Sequence, residues 1–147
     1  MAANFRNRIE AAQGRIAQVS ETLSNVPLRE GGWNRKQILG HLIDSVIHNH
    51  VRVVRAATQG HVEDISYKQK ELVDLHAYAE LSWSALQQEW LNRNLFLARV
   101  IERLTPNQLA APCRLEDSPE LPLETWIESY LEHLEEHIAQ IATGVYR

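Results

Sequence analysis

The chain has 147 residues, 44% hydrophobic and 23% charged, with a formal net charge of -4 and a sequence pI near 6.0. That length suits one domain, residues 1–147, with room for a real core and about four helices of ordinary length. The charges are dispersed, with no lysine or arginine block to neutralise a phosphate backbone, and nowhere do about 18 apolar residues run together, so neither a nucleic acid nor a membrane is an expected partner.

The first residues, Met1-Ala-Ala-Asn-Phe-Arg, lack the apolar stretch of a secretory signal. The single cysteine, Cys113, has no partner for an internal disulfide. Both features predict a cytoplasmic protein. Cys113 has no histidine near it in sequence, which argues against a nucleophilic role.

Phe5, Ile9, Ala12, Ile16, Val19 and Leu23 alternate spacings of four and three, the seam of an amphipathic helix that should stop before Pro27. A second helix starts after Asn34, with Gln37 three residues later completing a capping box, and runs to about residue 58. From Gly60 to Asp74 the period is lost, which predicts a long connection with room for a short helix. The third helix carries Trp83, Leu86, Trp90, Asn94, Leu97, Ile101 and Leu104 at heptad-like spacing and ends near Thr105 and Pro106, where Thr105 caps a short helical turn. Prolines 112, 119 and 122 keep the next stretch extended or turning, and Pro122 suits the first turn of the fourth helix. In that helix Leu123, Ile127, Tyr130, Leu134, His137 and Ile141 form the predicted buried stripe, widened by Trp126, His133 and Ile138. No alternating pattern predicts strands. The predicted fold is therefore all-α, a four-helix bundle with a long connection between helices 2 and 3.

The chemistry concentrates in the histidines. His133 and His137 are about 40° apart around a helix axis and one turn apart along it, so both imidazoles can face one point. Taken alone, such a pair reads either as two histidines at the edge of the core, bonded to side chains, or as two metal ligands. His41 tips the balance, because Ile38, Leu42 and Ser45 define an inward face that includes it. Gly40 beside it costs helix propensity, as a close approach by another group would explain. Asp44, one turn on, is a candidate to take the second imidazole proton of a ligand histidine. His48 lies about 10 Å further along the axis than His41, too far for the same ion, and reads as pocket-lining or structural. His50 falls on the opposite side, and His61 and His76 have no partner at metal spacing.

Two familiar signatures fail. The run from His133 to His137 matches His-x-x-Glu-His, which would make Glu136 a general base, but only ten residues follow for the downstream ligand of such peptidases. A carboxylate di-iron site needs Glu-x-x-His repeats, whereas residues 130 and 134 are tyrosine and leucine.

The segment Gly-Gly-Trp-Asn-Arg-Lys-Gln-Ile-Leu-Gly-His-Leu-Ile-Asp-Ser at 31–45, together with Tyr-Leu-Glu-His-Leu-Glu-Glu-His-Ile-Ala-Gln-Ile at 130–141, resembles the DinB-like superfamily of metal-binding four-helix bundles, especially its YfiT-like branch. The resemblance covers nearly the whole chain. It implies that His41, His133 and His137 bind a divalent metal, commonly nickel or zinc, in a homodimer of bundles. It also implies a metal-dependent hydrolase, or a transferase or isomerase that uses a low-molecular-weight thiol.

Three neutral histidines leave an ion its positive charge and an exchangeable position, which suits activation of water or of a thiol against a small-molecule substrate. Asp44 and Glu136 are the candidate proton relays. The alternative is a non-catalytic dimeric module that binds a small ligand around a structural metal.

Overall fold

A computed structural model describes residues 2–146. Four long helices dominate: α1 (Ala2–Ile16), α3 (Arg35–Gln59), α5 (Trp83–Glu102) and α7 (Leu123–Thr143). Short helices α2 (Glu21–Ser24), α4 (Gln69–His76) and α6 (Pro106–Leu109) punctuate the connections, as does a 3-10 turn at Tyr78–Glu80. Both α1 and α3 pack on α5 and α7, so α1 and α3 stand at opposite corners of the bundle. No helix among the described residues is long and apolar enough to cross a membrane.

The starts of the helices follow their caps. Asn34 accepts from Gln37 N while the Gln37 side chain accepts from Asn34 N, as the sequence predicts, and Thr105 and Gln108 repeat the device at α6. Gly60 ends α3 at a φ of 82°, a left-handed conformation that costs glycine nothing. The predicted stripe of α5 is buried from Trp83 to Ile101, including the amide of Asn94.

Four expectations need correction. The first helix stops at Ile16 instead of running through Leu23. Ser20 caps a new short helix by accepting from Leu23 N, and the Val19 carbonyl, free of any long helix, receives the Trp83 indole at 3.0 Å. Leu23 is consequently 43% exposed. The connections also form a small sheet: β1 (Val62–Asp64) pairs in parallel with β2 (Pro112–Leu115), which pairs antiparallel with β3 (Leu121–Pro122). Strands of two to four residues are too short to show a period. Finally, Pro122 is the N-cap of α7 rather than part of its first turn, and the buried stripe of α7 centres on Ile127, Leu131, Leu134 and Ile138 while His137 lies at its edge.

The relation of α3 to α7 positions the site. Arg35, in the first turn of α3, donates from Nε to the carbonyl of Ile141 in the last turn of α7, while Arg52 near the other end of α3 shares a cavity with Trp126 and Ile127. The two helices are thus antiparallel, and residue 41 falls level with residues 133 and 137.

Candidate metal centre

His41 comes from the second turn of α3 and is 1% exposed. His133 and His137 come from the last three turns of α7 and are half-buried. The His41 ring centroid is 5.6 Å from that of His133 and 4.9 Å from that of His137, and the last two are 4.6 Å apart. One ligating nitrogen from each ring can be chosen so that all lie within 4.8 Å of one another. The Nε2 atoms of His133 and His137 are 3.1 Å apart, near the roughly 3.3 Å expected between imidazoles bound at 2.0–2.1 Å in a tetrahedron.

Both nitrogens of His41 are buried with no hydrogen-bond partner among the described residues. An unsatisfied buried polar group costs about 1–3 kcal/mol, so a ring with two needs a reason to be there. His137 supplies a second sign. Its Nδ1 donates to Gln140 Oε1 at 3.0 Å, which leaves the Nε2 lone pair turned toward His133 Nε2. Two ring nitrogens at that distance need a proton or a cation between them. The residues therefore fit a divalent ion by donor chemistry, distance and tautomer.

The electrostatics agree. Burial, and then the neighbouring His137 and His133 rings, push His41 down to about 3 from an ordinary 6.5. Burial also lowers His133, again helped by His137, while the Glu136 carboxylate pulls the other way. Rings held neutral at pH 7 are in the form that binds metal. Trp33, placed by the turn that precedes the Asn34 cap, covers His41 with its ring 5.7 Å away. His133 and His137 keep the open side.

Asp44 does not serve His41. Its buried carboxylate receives the Tyr78 hydroxyl at 2.6 Å, with His76 Nδ1 at 3.0 Å from the same oxygen. Burial raises its pKa, and Tyr78 and His76 oppose the rise. The expectation that Asp44 takes the second imidazole proton of a ligand histidine does not describe this position. Gly40 is explained by the ring of Tyr78, because a Cβ there would come within 2.1 Å of Tyr78 Cδ2. Glu136 is exposed and lines an open groove with Ala139, Gln140 and Thr143. His48 donates from Nδ1 to the Asp44 carbonyl and stacks on Tyr67 at 4.1 Å, which fits a structural role. His50 packs against Phe96 on the outer side of α3.

Sequence reasoning missed His76 and Gln140. His76 lies just beyond the stretch that loses its period, and nothing local announces its partner. Gln140 was legible, since it stands three residues after His137 on the same helix.

A sequence profile described as the DinB superfamily matches residues 4–141. YfiT of Bacillus subtilis is 28% identical over 141 residues, covering 90% of this chain and 78% of that protein. A relative from Oceanobacillus iheyensis is 26% identical over 121 residues, which are 78% of this chain and 66% of the relative's own length. The names of both record metal-dependent hydrolase as an inferred activity. The solved structure of Bacillus subtilis YfiT, described as having an unusual four-helix bundle topology, superposes with a TM-score of 0.81 at 20% identity over 97% of this chain and 85% of that one. A mycothiol-dependent maleylpyruvate isomerase superposes with a TM-score of 0.76 at 13% identity, over 96% of this chain and 60% of the isomerase. At those identities the likeness establishes the fold.

Proposed function

The chain belongs to the DinB superfamily, and on that premise we propose that it is a metal-dependent enzyme whose divalent ion is held by His41, His133 and His137. The observation that carries this reading is His41 itself, a neutral, fully buried ring with both nitrogens unpartnered among the described residues and two more histidines converging on it. When bound, the ion supplies a Lewis-acid charge that lets water or a thiol lose its proton near neutral pH.

The chain's own residues do the rest. Gln140 fixes the proton of His137 on Nδ1 and so presents Nε2. Trp33 and the apolar wall of α3 close one side of the centre against water, while the partial exposure of His133 and His137 leaves the other open to a small molecule. The Asp44, Tyr78 and His76 cluster clamps the turn after α4 onto α3 and holds the helix that carries His41. Neither Asp44 nor Glu136 stands as a hydrogen-bond partner of a cluster histidine, so no proton relay is assigned to them.

Both chemistries find support among similar proteins: hydrolysis in the names of the curated relatives, and thiol-dependent isomerisation in the neighbour of like fold. A three-ligand centre with an open side favours catalysis over a purely structural metal. Nickel and zinc are the proposed ions and a low-molecular-weight thiol the proposed co-reactant. A homodimer is proposed as well, supported by the exposed Val51 and Phe96, which share a shallow groove between α3 and α5. The direct test is a divalent-metal titration of the chelated protein, followed by assays with thiols and electrophilic or hydrolysable substrates. Uptake of one ion per chain that restores turnover is expected, and turnover indifferent to chelation would overturn the proposal.

A further inference from the structure

Trp33 reaches the histidines from outside the four long helices. Its half-buried ring packs against the core 5.7 Å from that of His41, while its backbone belongs to the turn between α2 and α3. The base of that turn is closed by Leu28 N, which donates to the Trp33 carbonyl at 3.1 Å, and by the bridge between Pro27 and Asn34. Its tip is fastened elsewhere. Arg29 Nη2 donates to the Tyr146 hydroxyl at 3.1 Å, and Arg29 Cζ lies 3.9 Å from the centre of the Tyr146 ring. Arg29 makes this reach by folding back over Gly32, so closely that a Cβ there would come within 2.7 Å of Arg29 Cγ. The guanidinium stack is thus built against the residue next to Trp33.

Tyr146 lies in the short segment that follows α7. The helix ends where Gly144 N donates to the Gln140 carbonyl at 2.8 Å, one turn after Arg35 takes the carbonyl of Ile141. Val145 and Tyr146 then leave the helix, 57% and 49% exposed, so burial in the core does not set their course. Each of them flanks the centre. Val145 walls a groove of about 480 Å³ together with Gln140, whose amide holds His137, and Tyr146 holds the turn whose Trp33 covers His41. An exposed cation–π stack and one exposed hydrogen bond favour the closed arrangement by roughly tenfold. A fastening of that strength opens and closes freely on the timescale of loop motion.

We infer that Tyr146 is a positioning residue of the centre: through Arg29 it straps down the turn at residues 28–33 and keeps Trp33 against His41, so that release of the strap opens the centre to a small entering molecule and to departure of the ion. The effect on the ion rests on the three histidines being the metal site, whereas the hold on Trp33 does not. A strap and a ligand leave different kinetic marks. Loss of a ligand speeds exit of the ion and weakens binding, while loss of a lid speeds entry and exit by the same factor and leaves the affinity where it was.

The test labels the full chain with fluorotryptophan, whose four fluorine resonances are read by NMR without metal, the one from Trp33 being identified as the signal absent in Trp33→Phe. Tyr146→Ala and Arg29→Ala are expected to move the Trp33 resonance toward its solvent-exposed position, seen as a larger shift between water and heavy water, with the other three unmoved. Stopped-flow mixing with nickel, and capture of bound nickel by a coloured chelator, should show entry and exit both faster by roughly tenfold, with affinity within twofold of the parent. Tyr146→Phe keeps the stack and should fall between parent and Tyr146→Ala. A Trp33 resonance that stays in place in Tyr146→Ala, four resonances that move together, or faster exit with a matching loss of affinity would each overturn the assignment. Failure of the metal reading is distinct, since nickel would not bind the parent chain while the Trp33 resonance still decides whether the strap holds.

Discussion

At the scale of single residues, the metal-free protein carries a cost at His41 that a metal removes. Replacing this ring by leucine eliminates two unsatisfied buried nitrogens, and apolar replacement of such groups is near neutral or stabilising. His41→Leu should therefore leave the melting temperature of the metal-free protein unchanged or raised, while abolishing any rise on adding metal, as calorimetry would read. The pH dependence follows from the same ring. Its folded pKa of about 3 lies below the unfolded 6.5, so between these values the unfolded chain binds the extra proton. Stability that is fully present above pH 6.5 should fall as pH drops toward 3, by on the order of several kcal/mol at about 1.4 kcal/mol per unit. Urea unfolding of the chelated protein across that range checks the sign, and His41→Leu should flatten the slope. Gln140→Leu releases the proton of His137 from Nδ1 and should weaken metal binding about tenfold in a chelator competition. The triad was legible because helical spacing alone puts His133 and His137 on one face and turns His41 inward. The partners of Asp44 were not, because His76 and Tyr78 approach it across 32 and 34 residues of sequence through a turn without period.

At the scale of elements, the long helices were legible from apolar spacing and from caps whose chemistry is local, as at Asn34 and Thr105. The break after Ile16 was hidden because Val19 keeps the seam and is still buried, yet what ends the helix is Ser20 together with a distant indole that takes the Val19 carbonyl. The strands were hidden by their length and by a ladder that joins residues 62–64 to 113–115. The contact between α3 and the 3-10 turn is the element-level joint on which His41 depends. Gly40→Ala drives a methyl into the Tyr78 ring and should cost about 1–3 kcal/mol by urea unfolding, with weaker metal uptake because α3 must shift. Recovery of both in Gly40→Ala with Tyr78→Ala would tie the effect to that contact. An unchanged midpoint in Gly40→Ala would count against it.

At the scale of the whole molecule, the antiparallel seam between α3 and α7 unites the functional groups. Arg35 anchors one end to the carbonyl of Ile141, and the three histidines follow along the seam. The large apolar core does not depend on the centre, so metal should add to stability without being required for folding. At a hundredfold excess over the dissociation constant, binding adds about 2.7 kcal/mol. A protein of this size should then melt roughly 5–10 °C higher. The proposed dimer is tested at this scale too: Phe96→Glu should shift sedimentation toward the monomer without loss of helicity.

The central claim is that His41, His133 and His137 together hold one divalent ion. The most direct measurement is elemental analysis of the protein purified without a histidine tag, alongside His41→Leu. The account predicts about one nickel or zinc per chain in the parent and almost none in the variant, with helicity equal in both. A parent chain that takes up no divalent ion at micromolar concentration, or a variant that keeps its full complement, would contradict it.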